Sequence, residues 1–243
     1  MVRRSLAYAV VIACSSAATL GTACAQTRAV IELFTSQGCS SCPDADRLLG
    51  ELANDPTLVS ISLPIDIWDY LGWKDTLANP RHTARQRAYS KVRGDREVYT
   101  PQVVVNGSYH VLGSDKAAIE RVIAKSRQNP ATLSLPVTLK ATSGNLSVTV
   151  PERSGPPVEV WVLGISNAIT VAVKRGENKG KTITYHNVVR RWYKLEGAGG
   201  SGTWTVPVKE IGGDEVTSAA VFVQSGTADK PSLIVGAAMA ALR

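Results

Sequence analysis

Long apolar runs, histidine and aromatic side chains are all scarce in this sequence of 243 residues. Beyond residue 25 no stretch is apolar enough for long enough to span a bilayer as a helix. The three histidines, His82, His110 and His186, are too scattered for a metal-ligand motif. No Ser-His-Asp arrangement, phosphate-binding loop or internal repeat is present, and nothing in the sequence calls for a cofactor. Charge is nearly balanced: the formal value is +7. Removing Arg3 and Arg4 lowers it to about +5, too little to argue for nucleic-acid binding. Cysteine is rare as well, with four in the chain.

Two of the four, Cys14 and Cys24, lie in an N-terminal segment with the grammar of a secretory leader. Arg3 and Arg4 form a positive n-region, Leu6 to Leu20 an apolar run, and Ala23-Cys24-Ala25 a small-residue cleavage site. Val11–Cys14 also looks like a lipoprotein cleavage box, but the apolar run before it is short. The flanks of Arg3-Arg4 fit a twin-arginine signal poorly. Residues 1–25 are therefore expected to be a signal peptide. The mature chain is expected to be exported, periplasmic or secreted, where disulfides persist.

The remaining pair, Cys39 and Cys42, stands between a strand-like segment and a helix-like one. Ala29 to Phe34 is apolar on both faces of a period-2 pattern, as in a central strand. After Cys42, Pro43 suits a first helical turn, and Ala45, Leu48, Leu49, Leu52 and Ala53 recur at helical spacing. A C-x-x-C at a helix N-terminus meets free N–H groups and partial positive charge that stabilise a thiolate. As a structural staple it would do little, since so short a loop gives roughly 2 kcal/mol against about 3 for a loop of 15 residues. Redox chemistry is the favoured reading, with metal binding and a purely structural disulfide as alternatives. Cys39, nearer the helix start and solvent, is the expected nucleophile and Cys42 the resolving thiol.

Two halves differ in pattern. From residue 26 to 129, strand and helix signals alternate: a strand at Leu58–Ile65, a helix from Asn79-Pro80 to Val92, a hairpin at Val103–Val111 turning on Asn106-Gly107, and a helix capped by Ser114. Beyond Asn129-Pro130, over residues 130–243, short strands follow one another with Gly, Pro and Asn turns, which suggests an antiparallel sandwich.

The first half resembles the thioredoxin superfamily: strand, C-x-x-C, helix, then Thr100-Pro101 entering a hairpin. More narrowly, three runs together resemble an uncharacterised family of secreted thioredoxin-like proteins, a domain of unknown function. These are Glu32–Pro43, Tyr99–Gly107 and Tyr185–Arg190. Gly38 and Ser40-Ser41 depart from thioredoxin itself, which has a tryptophan and Gly-Pro at those places. The resemblance implies an α/β thioredoxin-like domain followed by an all-β antiparallel sandwich domain. It also implies a cis peptide before Pro101, which would shape a substrate groove facing the disulfide.

The expected activity is thiol–disulfide exchange on an exported protein with thiols or disulfides, recycled by a redox partner protein. Cys39, Cys42 and Pro101 are the expected catalytic residues. Glu32, near the place where thioredoxins bury a proton-accepting acid, joins them as a candidate, although it also suits a surface position. Trp68 and Trp73, with Thr100, are candidates for a substrate wall, or else anchors of an irregular insertion. Arg81, Arg85, Arg87, Lys91 and Arg93 read as a solvated helix face. A copper- or zinc-binding protein using Cys39, Cys42 and His110 is the alternative from a different class, and a binding module with a structural disulfide is another. Lys174–Lys181 reads as a polar turn, either solvated or a contact surface for the first half or for a partner. Tyr185, His186, Asn187 and Arg190 are expected to link the two halves, with Arg190 or His186 bonding to groups before residue 130.

Overall fold

The computed structural model describes residues 26–197 and 201–242, and the leader expected over residues 1–25 lies outside them. Among the described residues no helix is long and apolar enough to cross a membrane.

The first half follows its local signals closely. Strand β1 (Ala29–Thr35) leads to helix α1 (Pro43–Leu52), which buries Ala45, Leu48, Leu49 and Leu52. Strand β2 (Leu58–Pro64) precedes α2 (Pro80–Arg93), capped by the Asn79 side chain, which accepts from the Arg81 backbone N–H at 2.9 Å. Strands β3 (Gln102–Val105) and β4 (Tyr109–Leu112) form the expected hairpin, with positive φ at both Asn106 and Gly107. Helix α3 (Lys116–Ser126) is capped by Asp115, one residue later than its sequence signal.

Seven strands follow: β5 (Thr138–Thr142), β6 (Asn145–Val150), β7 (Val158–Ala172), β8 (Thr182–Lys194), β9 (Gly202–Pro207), β10 (Ser218–Thr227) and β11 (Lys230–Ala241). They do not build a separate sandwich. Four of them continue the sheet of the first half, in the order β11-β10-β7-β8-β2-β1-β3-β4, while β5-β6-β9 form a small sheet of their own. The join is a parallel contact between β2 and β8 at Ser62 and Val188. The expected α/β thioredoxin-like domain followed by an all-β sandwich is therefore overturned by one mixed sheet with strands from both halves.

Burial explains why. Along β7, Val158, Val160 and Val162 enter one apolar cluster, and Trp161, Leu163 and Ile165 enter another. A strand apolar on both faces needs a covering layer on each side. On one face the three-stranded sheet supplies Leu139, Leu146, Val148, Val150 and Val206. On the other, Tyr89 of α2 joins a core running from Val30 and Phe34 of β1 to Phe222 of β10. Helices α1 and α3 cover the first face over β1 and β3, against Ile31, Leu33, Val103 and Val105.

Candidate functional site

Cys39 and Cys42 are joined by a disulfide, with Cα atoms 5.4 Å apart. Cys42 is the N-cap of α1, and its carbonyl accepts the Asp46 N–H at 3.0 Å. Cys42 is 0% exposed and Cys39 4%, so the expected order holds but the expected accessibility of Cys39 does not. Ser40 and Ser41 between them are exposed, and the Ser41 hydroxyl lies 3.5 Å from Cys39 Sγ.

Two segments enclose the disulfide. The first runs from Asp66 to Asn79. Asp75, buried, accepts from the N–H groups of Gln37 (2.7 Å), Leu77 (2.8 Å) and Ala78 (3.0 Å). Trp73 donates its indole N–H to Gln37 Oε1 at 2.8 Å, and Trp68 donates to Thr100 Oγ1 at 2.8 Å. Trp68 also crowds the chain before the first cysteine: a Cβ on Gly38 would come within 2.8 Å of Trp68 Cβ. Both indole N–H groups are spent inside the protein, so these rings anchor the insertion while half-exposed beside the site. Thr100 precedes a cis peptide to Pro101. Pro101 stands beside α1, since a Cβ on Gly113 would approach Pro101 Cβ, Ala45 Cβ and Leu33 Cδ1 together.

The second segment is the turn between β7 and β8, which the sequence left open between solvent and contact. Asn178, fully buried, donates to the carbonyls of Gln37 (3.0 Å) and Cys39 (2.8 Å), and accepts from Lys181 Nζ (2.9 Å). Glu177 accepts the Ser40 N–H at 3.1 Å. The turn thus straps the C-x-x-C from a distant part of the chain. Asn178→Ala removes the partner of the buried Gln37 carbonyl and leaves the Cys39 carbonyl with the Cys42 N–H at 3.2 Å alone, and it is expected to cost about 1–3 kcal/mol. It should also speed alkylation of Cys39 in the reduced protein. Denaturant melts and alkylation kinetics read both effects, and unchanged alkylation would mean that the strap does not limit access.

A buried carboxylate lies next to the cysteines, and it belongs to Asp46 rather than Glu32. Asp46 is one turn along α1 from Cys42. Neither of its oxygens has a hydrogen-bond partner among the described residues; nor do Thr35 Oγ1, Ser60 Oγ, Ser62 Oγ or Tyr185 OH. By strand alternation Thr35, Ser60 and Ser62 face α1, so the polar layer lies between α1 and the sheet. Burial pushes the Asp46 pKa up to about 8. The Thr35 hydroxyl, close but without hydrogen-bond geometry, opposes the shift, and the charge of Asp75 adds to it. Burial also raises the Tyr185 pKa, with the charges of Asp46 and Asp75 contributing.

Glu32 points to the opposite face, with Val30 and Phe34. It is 0% exposed and ion-paired with Arg85 Nε, while its Oε1 accepts from Arg85 Nη2 (3.1 Å) and Tyr89 OH (2.7 Å). Gln224 of β10 closes the cluster, accepting from Arg85 Nη2 at 3.0 Å and donating to Tyr89 OH at 2.8 Å. Arg85, read as part of a solvated face, is 8% exposed.

His110 does not join the cysteines. Its Nδ1 lies 3.0 Å from Tyr99 OH and its Nε2 3.2 Å from Asp95. Among the described residues no group of three or more His, Cys, Asp or Glu is placed to hold a metal ion. In the expected linking cluster, Asn187 makes the bond, donating to Ser60 O at 2.9 Å. His186 packs on Gly50 of α1, Tyr185 is buried near Asp46, and Arg190 faces Glu215 at 3.7 Å. The strap escaped the sequence reading, and Asp46 read only as one of two acids, with Asp44, in the first helical turn, favouring the helix dipole and opposing a thiolate. Asp46 had a signal, because positions 42, 46, 49 and 53 trace one helix face. Asn178 had none.

Residues 30–224 match the model of a family described as a protein of unknown function, DUF1223. No curated protein matches the chain. An X-ray crystal structure of an Agrobacterium tumefaciens protein, from a structural genomics consortium, is 30% identical with a TM-score of 0.78. It matches over 89% of this chain and 95% of its own.

Proposed function

The chain belongs to the DUF1223 family of proteins of unknown function, a membership that names no reaction, and from the site itself we propose that it is an exported thiol–disulfide exchange protein. The observation that carries this reading is the buried Asp46 carboxyl, without hydrogen-bond partners among the described residues, one turn from a C-x-x-C disulfide at the start of α1. A structural staple has no use for an acid that holds a proton at neutral pH. A disulfide that opens and closes does.

A substrate thiolate attacks Cys39 Sγ. A bond forms between the two sulfurs, the Cys39–Cys42 bond breaks, and the leaving Cys42 thiolate takes the proton held by Asp46. A second substrate thiolate then attacks the substrate sulfur of the mixed disulfide and releases Cys39 as a thiolate at the N-terminus of α1. The substrate leaves oxidised and the protein reduced. In the reverse direction Asp46 accepts the Cys42 proton as that thiol resolves the mixed disulfide. Pro101, Thr100 and Trp68 line the side of the site where substrate backbone would lie. A groove of about 440 Å³ beside Pro43, lined by Arg47, Lys181, Ile183 and His186, flanks α1 on its other side.

Trapping tests the proposal. Cys42→Ser should accumulate mixed disulfides with thiol-bearing exported proteins or with a redox partner protein, and Cys39→Ser should not. Equal trapping by both variants would reverse the assignment of nucleophile. No exchange by the native protein with any dithiol or disulfide probe would leave the disulfide structural.

A further inference from the structure

On the face of the sheet opposite α1, helix α2 and strands β7 and β8, which lie three and two strands from β1, enclose a cleft of about 230 Å³. Its walls are Arg81, Ala84 and Arg85 from α2, Trp161 from β7 and Trp192 from β8. The β10–β11 turn closes one end with Ala228 and Asp229. Both tryptophans are buried, and each carries a guanidinium on its ring. Arg81 lies 4.5 Å from the Trp161 centroid and Arg85 4.8 Å from that of Trp192.

The two cations are unequally satisfied. Arg85 spends Nε and Nη2 on Glu32, Tyr89 and Gln224, which leaves Nη1 without a hydrogen bond among the described residues. The guanidinium of Arg81 has no carboxylate within ion-pair distance among the described residues. Partial burial, and then the like charge of Arg85, lowers its pKa from the ordinary value. The neighbouring acid, Glu159, is already held by Lys194 Nζ at 2.8 Å. Glu159 does not line the cleft, and among the described residues the acidic side chain that does is Asp229, at the rim. The cleft therefore offers unpaired guanidinium donors on a flat aromatic wall, with one of the two arginines fixed by a buried network.

We infer that this cleft binds a small aromatic carboxylate, its ring against Ala84 and the indole edges and its carboxylate between Arg81 and Arg85. Size agrees with that choice. A dry cavity of about 150 Å³ accepts a benzene-sized ligand, so the cleft has room for a ring and one anionic group. Guanidinium is also the group best suited to a planar, two-oxygen anion. The site is separate from the disulfide and does not depend on its chemistry.

Benzoate is the probe, titrated into the full mature protein at neutral pH and followed by calorimetry and by the indole N–H resonances. Saturable binding is expected, about ten-fold tighter than that of acetate, which carries the charge without the ring. Arg81→Gln, at an exposed position, should weaken benzoate by about ten-fold or more, the loss of one charge-assisted hydrogen bond. Asp229→Asn, which removes the acid at the rim, should tighten it. Absence of saturable benzoate binding, binding no tighter than that of acetate, or an Arg81→Gln variant that binds as the native protein does would overturn the proposal.

Discussion

Replacing Asp46 with asparagine will make the oxidised protein more stable above pH 8, by up to about 5–6 kcal/mol. The native fold raises the Asp46 pKa from 3.8 to about 8, so between those values the folded state holds a proton that the unfolded state has released. Stability then falls as pH rises through this window, and the full penalty is present above the folded pKa. Below about pH 4 both states are protonated and the carboxyl contributes nothing. Asparagine keeps the shape of the neutral acid and cannot ionise, so the variant should lack that slope. The same change should slow disulfide exchange by about a hundred-fold, because Cys42 loses its proton donor and acceptor. Thermal melts from pH 4 to 9, with single-turnover exchange rates, measure both. A native protein whose stability is flat across that range would remove Asp46 from the account.

The second large effect lies on the other face of the sheet. Arg85→Met will cost about 3–5 kcal/mol, because Glu32 is left charged and buried without its partner. The energy of the pair itself is not the source of that loss. Changing both residues, to Glu32→Gln with Arg85→Met, should recover most of it, since a buried ion pair replaced as a unit is often neutral. Urea melts of the native protein, both single variants and the double variant supply the cycle. Additive losses would mean that Arg85 matters through its packing on Trp192 and Tyr89 and that its charge is incidental.

Much of the local structure was legible. Pro43 after Cys42, Asn79-Pro80 before α2 and Asn106-Gly107 in the hairpin each mark an element by backbone chemistry that operates over a few residues. The sheet was not legible in the same way, because strand order is a tertiary property. Trp161 to Leu163 and Ala219 to Val223 are apolar at consecutive positions. That is the pattern of strands covered on both faces, and it argued against a two-layer sandwich with one face in water. The site divides along the same line. Cys39, Cys42 and Pro101 are recognisable from their immediate neighbours. Glu32 is buried, one of the two positions it suited, and strand alternation sets it on the face of Val30 and Phe34, opposite α1. Asn178 reaches the cysteines from more than a hundred residues away, and no local pattern announces such a contact.

The parallel contact between Ser62 and Val188 has a consequence for how the chain is made. Strand β2 emerges early and is buried along its whole length in the finished protein, yet the neighbour that seals its second side comes from β8. Until that neighbour arrives, β2 is an open edge of apolar sequence, the kind of surface that recruits strands from other chains. Contacts so distant in sequence also form slowly, since a long loop must close before they are rewarded. A chain with this topology spends its early life in need of protection against aggregation, and the window closes only when its last third has been delivered.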